Sequence, residues 1–150
     1  MSKGDIAKNL FDNGYNCSQA VLCAFSDETG LDSKTAYKLA SSFGGGIGRL
    51  REVCGAVSGM CMAAGIIYGY DEEHEPEQKP VHYARIQELV NKFKEENGSF
   101  LCRDLLEGYT EVSSSPTPEE RTDSYYKRRP CGEYVKCAAQ ILEKYIEEHK

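Results

Sequence analysis

Val53-Cys54-Gly55-Ala56-Val57-Ser58-Gly59-Met60-Cys61-Met62-Ala63-Ala64-Gly65-Ile66-Ile67-Tyr68-Gly69-Tyr70 is a run of 18 uncharged residues between Glu52 and Asp71. Its reading decides the fold. The length stands at the lower edge of a membrane span. Yet Gly55, Gly59, Gly65 and Gly69, with the small side chains among them, leave little apolar area to bury in lipid. A buried central helix is the better reading, and no membrane span is expected. Gly55, Gly59 and Ala63 recur every fourth residue, a smooth stripe on which another helix, or a bulky ligand, can approach the backbone closely. The same stripe serves a homodimer contact or an intramolecular neighbour equally well.

Outward from this run the pattern stays helical. Ile6, Leu10 and Phe11 fit a short amphipathic helix stopped by Gly14. Asn16 and Gln19 form a capping box for a second helix, whose stripe is Cys17, Ala20, Val21, Ala24 and Phe25 and which Gly30 ends. Asp32 caps a third with Ala36, Leu39, Ala40 and Phe43 on its apolar side. After an acidic break at Asp71 to Pro80, Ile86, Leu89, Val90 and Phe93 mark another helix ending near Gly98. A short turn holds Cys102, Leu105 and Leu106, and Thr110 to Arg121 is a loop with Pro116 and Pro118. The last helix opens at Pro130 and buries Cys131, Val135, Ala138, Leu142 and Tyr145. No segment alternates with period two. The expected fold is all-α, one domain over residues 1–150, with about six or seven helices around the Gly/Ala-rich one.

Composition narrows the function. With 24 acidic against 18 basic side chains the net charge is -6, so a phosphate-backbone binder is not expected and nucleic acid is set aside as a partner. The N-terminal residues carry no apolar signal segment, and a cytoplasmic setting is expected. In a reducing compartment the seven Cys residues read as thiols for metal binding, catalysis or redox sensing rather than as structural disulfides.

Helical phase divides the seven. Cys17, Cys54, Cys102 and Cys131 each stand in or near the first turn of a predicted helix and on its apolar stripe. Cys23 and Cys137 follow Cys17 and Cys131 by six residues, which turns them off the inward face. Cys61 returns to the face of Cys54 but about 10 Å further along the axis, too far to share one metal atom. Helix N-termini favour thiolate over thiol, and thiolate is the form that attacks disulfides and binds metals. Arg49 and Arg51 precede Cys54, Arg103 follows Cys102, and Arg128 and Arg129 precede Cys131, adding cations in sequence. The competing reading for each member is a small buried core residue.

Other motifs are absent or ordinary. There is no Cys-x-x-Cys pair, so any centre is assembled from distant segments. Phe43-Gly44-Gly45-Gly46-Ile47-Gly48-Arg49 invites a phosphate-loop reading, but no strand precedes it and no Gly-Lys-Ser/Thr follows. Gly45, Gly46, Gly48 and Arg49 are better read as a tight nest of N–H groups beside Cys54, able to hold an anion or stabilise sulfur. His74, His82 and His149 are expected to be solvated, with His82 able to join a metal site if its helix folds back.

Taken together, Gly14-Tyr15-Asn16-Cys17-Ser18-Gln19-Ala20-Val21, the Phe43 to Arg49 glycine stretch, Val53-Cys54-Gly55-Ala56-Val57-Ser58-Gly59, Cys102 and Cys131 resemble a family of redox-active proteins of about this length, named C_GCAxxG_C_C after its cysteines. The resemblance spans most of the chain. One departure is visible: the label orders its box Gly-Cys-Ala, whereas this chain reads Cys54-Gly55-Ala56. The resemblance implies that the four signature cysteines fall on Cys17, Cys54, Cys102 and Cys131, the set that helical phase selects. It implies no reaction.

Two classes of function follow. In the first, the four cysteines converge as a redox or electron-transfer centre. They either ligate an iron–sulfur cluster or other metal ion, or cycle as thiol and disulfide with Cys54 the nucleophile and Cys17 its companion. In the second, the chain is a non-enzymatic module whose Gly55 and Gly59 stripe and thiols bind a metal ion or small ligand. The partner, a redox protein or a small ligand, is not named by the sequence.

Overall fold

The 53–70 run folds as a buried helix against which the rest of the chain is layered. A computed structural model describes residues 1–150. In chain order the helices are α1 (Lys3–Asp12), α2 (Cys17–Ala24), α3 (Ser26–Thr29), α4 (Ser33–Ala40), α5 (Gly55–Tyr68), α6 (Glu75–Asn97), α7 (Cys102–Leu106), α8 (Asp123–Arg128) and α9 (Cys131–Glu148). Short 3-10 turns at Ser41–Phe43 and Glu72–His74 complete the set, and there is no β-strand. The architecture is the expected all-α bundle. It has nine helices rather than six or seven, because three of the nine are pieces of four to six residues. No helix is long and apolar enough to cross a membrane.

Close backbone approach organises the bundle. α2 lies along α5, α1 along α9, and both α2 and α5 also meet α9. A Cβ placed on Gly59 would stand 2.6 Å from the Ser18 carbonyl oxygen and 3.0 Å from Val21 Cβ, and one on Gly55 only 3.1 Å from Cys17 Cβ. The small-residue stripe is therefore occupied by α2, and neither a second copy of the chain nor a ligand can use its length. Phe11, Leu22, Phe25, Met60, Leu89, Phe93, Leu106 and Leu142 fill the core around it.

The capping logic of the sequence holds where it was strongest. Asn16 accepts from the Gln19 N–H at 2.8 Å while the Gln19 side chain accepts from the Asn16 N–H at 3.0 Å. Asp32 accepts from the Thr35 N–H, and Gly98 closes α6 in the left-handed conformation. Three expectations are corrected. The second helix breaks at Phe25, and Gly30 caps the short α3 instead. The supposed acidic break contains the first turns of α6, because Glu75 and Glu77 suit the positive end of a helix and Pro76 is tolerated there. Leu39 faces solvent, 48% exposed, leaving Ala36 and Ala40 as the buried positions of α4.

Two glycines of α5 separate packing from propensity. Gly59→Ala collides with backbone and should destabilise the fold by roughly 1–3 kcal/mol. Gly65→Ala meets nothing within 4 Å and should stabilise it by about 0.5–1 kcal/mol. Urea unfolding of the two variants checks the opposite signs.

Candidate functional site

The four cysteines picked out by helical phase each stand at the start of a helix. Cys17, Cys102 and Cys131 are the first residues of α2, α7 and α9, and Cys54 is the N-terminal cap of α5. The chain brings these starts together in two ways. Cys17 reaches Cys54 through the glycine contact between α2 and α5. Cys54 reaches Cys102 through a short antiparallel pairing: Val53 bridges Leu101, the Cys54 N–H donates to the Phe100 carbonyl at 2.8 Å, and the Cys102 N–H donates to the Glu52 carbonyl at 2.6 Å.

All four sulfur-bearing residues wall one cavity of about 300 Å³. Gly44, Gly45, Gly48, Gly55, Arg49, Arg51, Arg121, Arg129, Tyr125 and Tyr134 line it too, and Pro116, Pro118 and Glu119 close it from the 110–121 loop. Arginines tie that loop down. Arg49 donates to the Ser115 and Thr117 carbonyls, Arg51 Nε to the Ser113 carbonyl at 2.9 Å, and Arg129 pairs with Glu119 at 3.3 Å. Arg121 donates to the Phe11 and Tyr15 carbonyls, with its guanidinium carbon 4.4 Å from the centre of the Phe11 ring and 4.9 Å from that of Tyr125.

The glycine stretch is a left-handed turn. Gly45, Gly46, Ile47, Gly48 and Arg49 all have φ between 53° and 74°, and Arg51 follows at 63°. Non-glycine residues avoid this region, and a β-branched one such as Ile47 especially so. The turn holds through internal bonds: the N–H groups of Gly48, Arg49, Arg51 and Glu52 donate to the carbonyls of Ser42, Gly44, Gly45 and Gly46. Those four N–H groups are spent inside the turn, whereas the N–H groups of Gly44, Gly45 and Gly46 make no bond within the protein, so this edge of the cavity carries free backbone donors as well as the Arg49 and Arg51 side chains. Gly46 leaves room for its neighbour: a Cβ there would lie 2.7 Å from Cys102 Cβ.

Burial and charge treat the four thiols unequally. Burial pushes the Cys54 thiol up to about 12, against the N–H groups of Ala56 and Val57, which favour thiolate. Cys17 and Cys131 are neighbours on the cavity wall whose thiols act on one another's ionisation. Cys17 holds Cys131 down at about 7, with the guanidinium groups of Arg129, Arg121 and Arg51 adding to this against burial, and Cys17 is in turn driven well up. Burial raises Cys102 as well, opposed by Arg51, whose Nη1 stands 3.6 Å from its sulfur. The electrostatics thus single out Cys131 as the readiest thiolate, where sequence reasoning expected Cys54.

The remaining expected residues fall elsewhere. Gly59 packs on α2 and does not line the cavity. Cys61 borders a separate apolar groove with Val57, Met62 and Val90, and burial raises it to about 11. Cys23 is half-buried, and Cys137 donates to Glu96 at 2.8 Å. His82 meets Arg85 at 2.9 Å, away from the cavity. Arg103 and Arg128 pair with Glu52 and Glu119 and do not line it. Arg121, Tyr125 and Tyr134 were missed by sequence reasoning. For Arg121 no local signal exists, since it is delivered by the return of a loop.

No three of the four sulfurs lie within 4.8 Å of one another; the only group of three potential ligands that close is the exposed Asp71, Glu73 and His74. Four thiolates around a single ion at 2.3 Å would stand about 3.8 Å apart. The four sulfurs are therefore not set around a single ion in this structure. The family model described as "Putative redox-active protein (C_GCAxxG_C_C)" matches residues 15–145 of the chain. No curated protein and no solved structure matches it.

In the metal-free protein, alkylation of Cys131 by iodoacetamide should rise as pH increases through about 7, because the thiolate is populated above that value. Cys54 should stay unreactive across the same range. Peptide mapping by mass spectrometry reads both, and Arg129→Gln should move the Cys131 profile to higher pH.

Proposed function

The chain belongs to the C_GCAxxG_C_C family of redox-active proteins, and from that premise we propose that it is an electron-transfer protein whose Cys17, Cys54, Cys102 and Cys131 ligate an iron–sulfur cluster. The observation that carries the reading is the convergence of four cysteines, and no other cysteine, on one cavity lined by four arginines. Thiolates are the usual ligands of such clusters, and cationic surroundings offset the negative charge of four thiolates and their sulfides. Two buried guanidinium nitrogens, Arg51 Nη2 and Arg129 Nε, lack a partner, which fits a group that brings acceptors. When bound, the cluster supplies one-electron chemistry. The protein's own residues ligate it, neutralise it and, through the 110–121 loop, exclude water from it. A cytoplasmic setting and a redox partner protein belong to the same reading.

A second reading rests on Cys17 and Cys131, neighbours on the cavity wall whose thiols push one another's ionisation in opposite directions. There Cys131 attacks a disulfide and Cys17 resolves the mixed disulfide. The pair forms its own disulfide, and two electrons and two protons pass to the substrate, which leaves as two thiols.

Anaerobically purified or reconstituted protein should be brown and carry iron with acid-labile sulfide. Both should be lost in Cys54→Ser and retained in Cys61→Ser. Colourless, metal-free protein with four freely titrating thiols overturns the cluster, and a mass loss of two hydrogens mapped to Cys17 and Cys131 after disulfide treatment then selects the second reading.

A further inference from the structure

Arg51 is the only charged residue of the chain that is buried, at 5% exposure. Its Nε donates to the neutral Ser113 carbonyl, its Nη1 to the Cys102 sulfur at 3.6 Å, and its Nη2 finds neither partner nor solvent. No carboxylate pairs with it, in contrast to Arg129 on Glu119 and Arg103 on Glu52. A guanidinium cannot shed its proton to escape burial, as a lysine can. An unpaired buried charge is among the costliest features a fold carries. This one is held deliberately: the Arg51 backbone is left-handed, its N–H donates to the Gly45 carbonyl at 3.1 Å, and its carbonyl accepts from the Arg103 N–H at 3.3 Å. A strained turn fastened to the start of α7 thus drives a permanent cation against one candidate ligand and leaves a donor free.

We propose that Arg51 is the positioning residue that sets the reduction potential of the centre, its Nη1 held on the Cys102 sulfur and its free Nη2 donating to an acceptor that the bound cluster brings. The inference rests on the cluster reading given above. A cation and hydrogen bonds directed at cluster sulfur favour the reduced form, which carries one more negative charge, and so raise the potential. The Ser113 carbonyl on Nε fixes the plane of the fork. The same guanidinium therefore couples the centre to the loop that covers it.

Potentiometric titration of the loaded protein, followed by absorbance and electron paramagnetic resonance, tests this in wild type, Arg51→Lys and Arg51→Gln, with far-ultraviolet circular dichroism to check folding. The potential of the loaded fraction of Arg51→Gln should shift negative, and that of Arg51→Lys should lie between it and the wild type. If folded Arg51→Gln does not hold the cluster, the potential of Arg51→Lys decides in the same way. An unmoved potential in loaded Arg51→Gln overturns it, as does a lysine variant shifted as far as the glutamine one, or loss of the cluster from both folded variants. If Arg51→Gln does not fold, Arg51→Lys decides: a potential below wild type supports the role and an equal one overturns it. Wild type without iron and sulfide fails the cluster reading itself and takes this inference with it, whereas a loaded wild type with an unresponsive Arg51 fails this inference alone.

Discussion

Four helix N-termini and four guanidinium groups point at one cavity, and the rest of the structure is arranged around that concentration of positive potential. Each helix start presents N–H groups and roughly half a positive charge, so ends gathered this way repel one another unless something negative lies between them. The protein supplies part of the balance itself. The carbonyls of Ser113, Ser115 and Thr117 and the carboxylate of Glu119 face the arginines, which explains why a polar loop with two prolines lies across the cavity. Of the four thiols on the other walls only Cys131 is inclined to ionise on its own, so much of the positive potential is left unbalanced by the protein.

The convergence is made by backbone approach. Gly55 and Gly59 let α2 lie on α5 at a distance that any side chain would forbid, and this seats Cys17 beside Cys54. Gly46 does the same for Cys102. The left-handed turn from Gly45 to Arg49 then redirects the chain so that Glu52 to Cys54 pair with Phe100 to Cys102. Holding Ile47, Arg49 and Arg51 in that region costs about 1–3 kcal/mol each. That cost is met by the internal hydrogen bonds of the turn and by placing Arg49 and Arg51 on the cavity wall.

Much of this was legible in the sequence because it is local. The capping box at Asn16 and Gln19, the apolar rhythm of α9 and the every-fourth-residue small stripe each encode their structure within a few residues, and the phase of Cys17, Cys54, Cys102 and Cys131 followed from them. What the sequence hid is non-local. Arg121 and Tyr125 reach the cavity only through the path of a loop, and nothing in their neighbours signals it. The start of α6 was obscured by the acidic stretch read as a break from Asp71 to Pro80: Pro76 stands in the first turn, where proline is tolerated, and Pro80 is carried inside the helix. The use of the Gly55 and Gly59 stripe, by a helix, a ligand or a second copy, depended on what lay opposite, and α2 lies there.

The thiols illustrate how magnitudes decide between two true statements. A helix N-terminus favours thiolate at all four cysteines, and sequence reasoning took Cys54, in its Gly-rich and Arg-flanked setting, as the nucleophile. The dipole is worth about 0.3–1 kcal/mol, less than the roughly 1.4 kcal/mol of one pKa unit. Full burial of a thiolate costs more, and at Cys54 burial wins by a wide margin. Only where the neighbouring Cys17 thiol and three guanidinium groups act together, at Cys131, is burial outweighed. Three thiols that resist ionisation and one that accepts it make a poor set of independent nucleophiles. They make a coherent set of ligands, because a cationic centre favours the thiolate form of all four at once and so supplies the charge partner that burial denies to each alone.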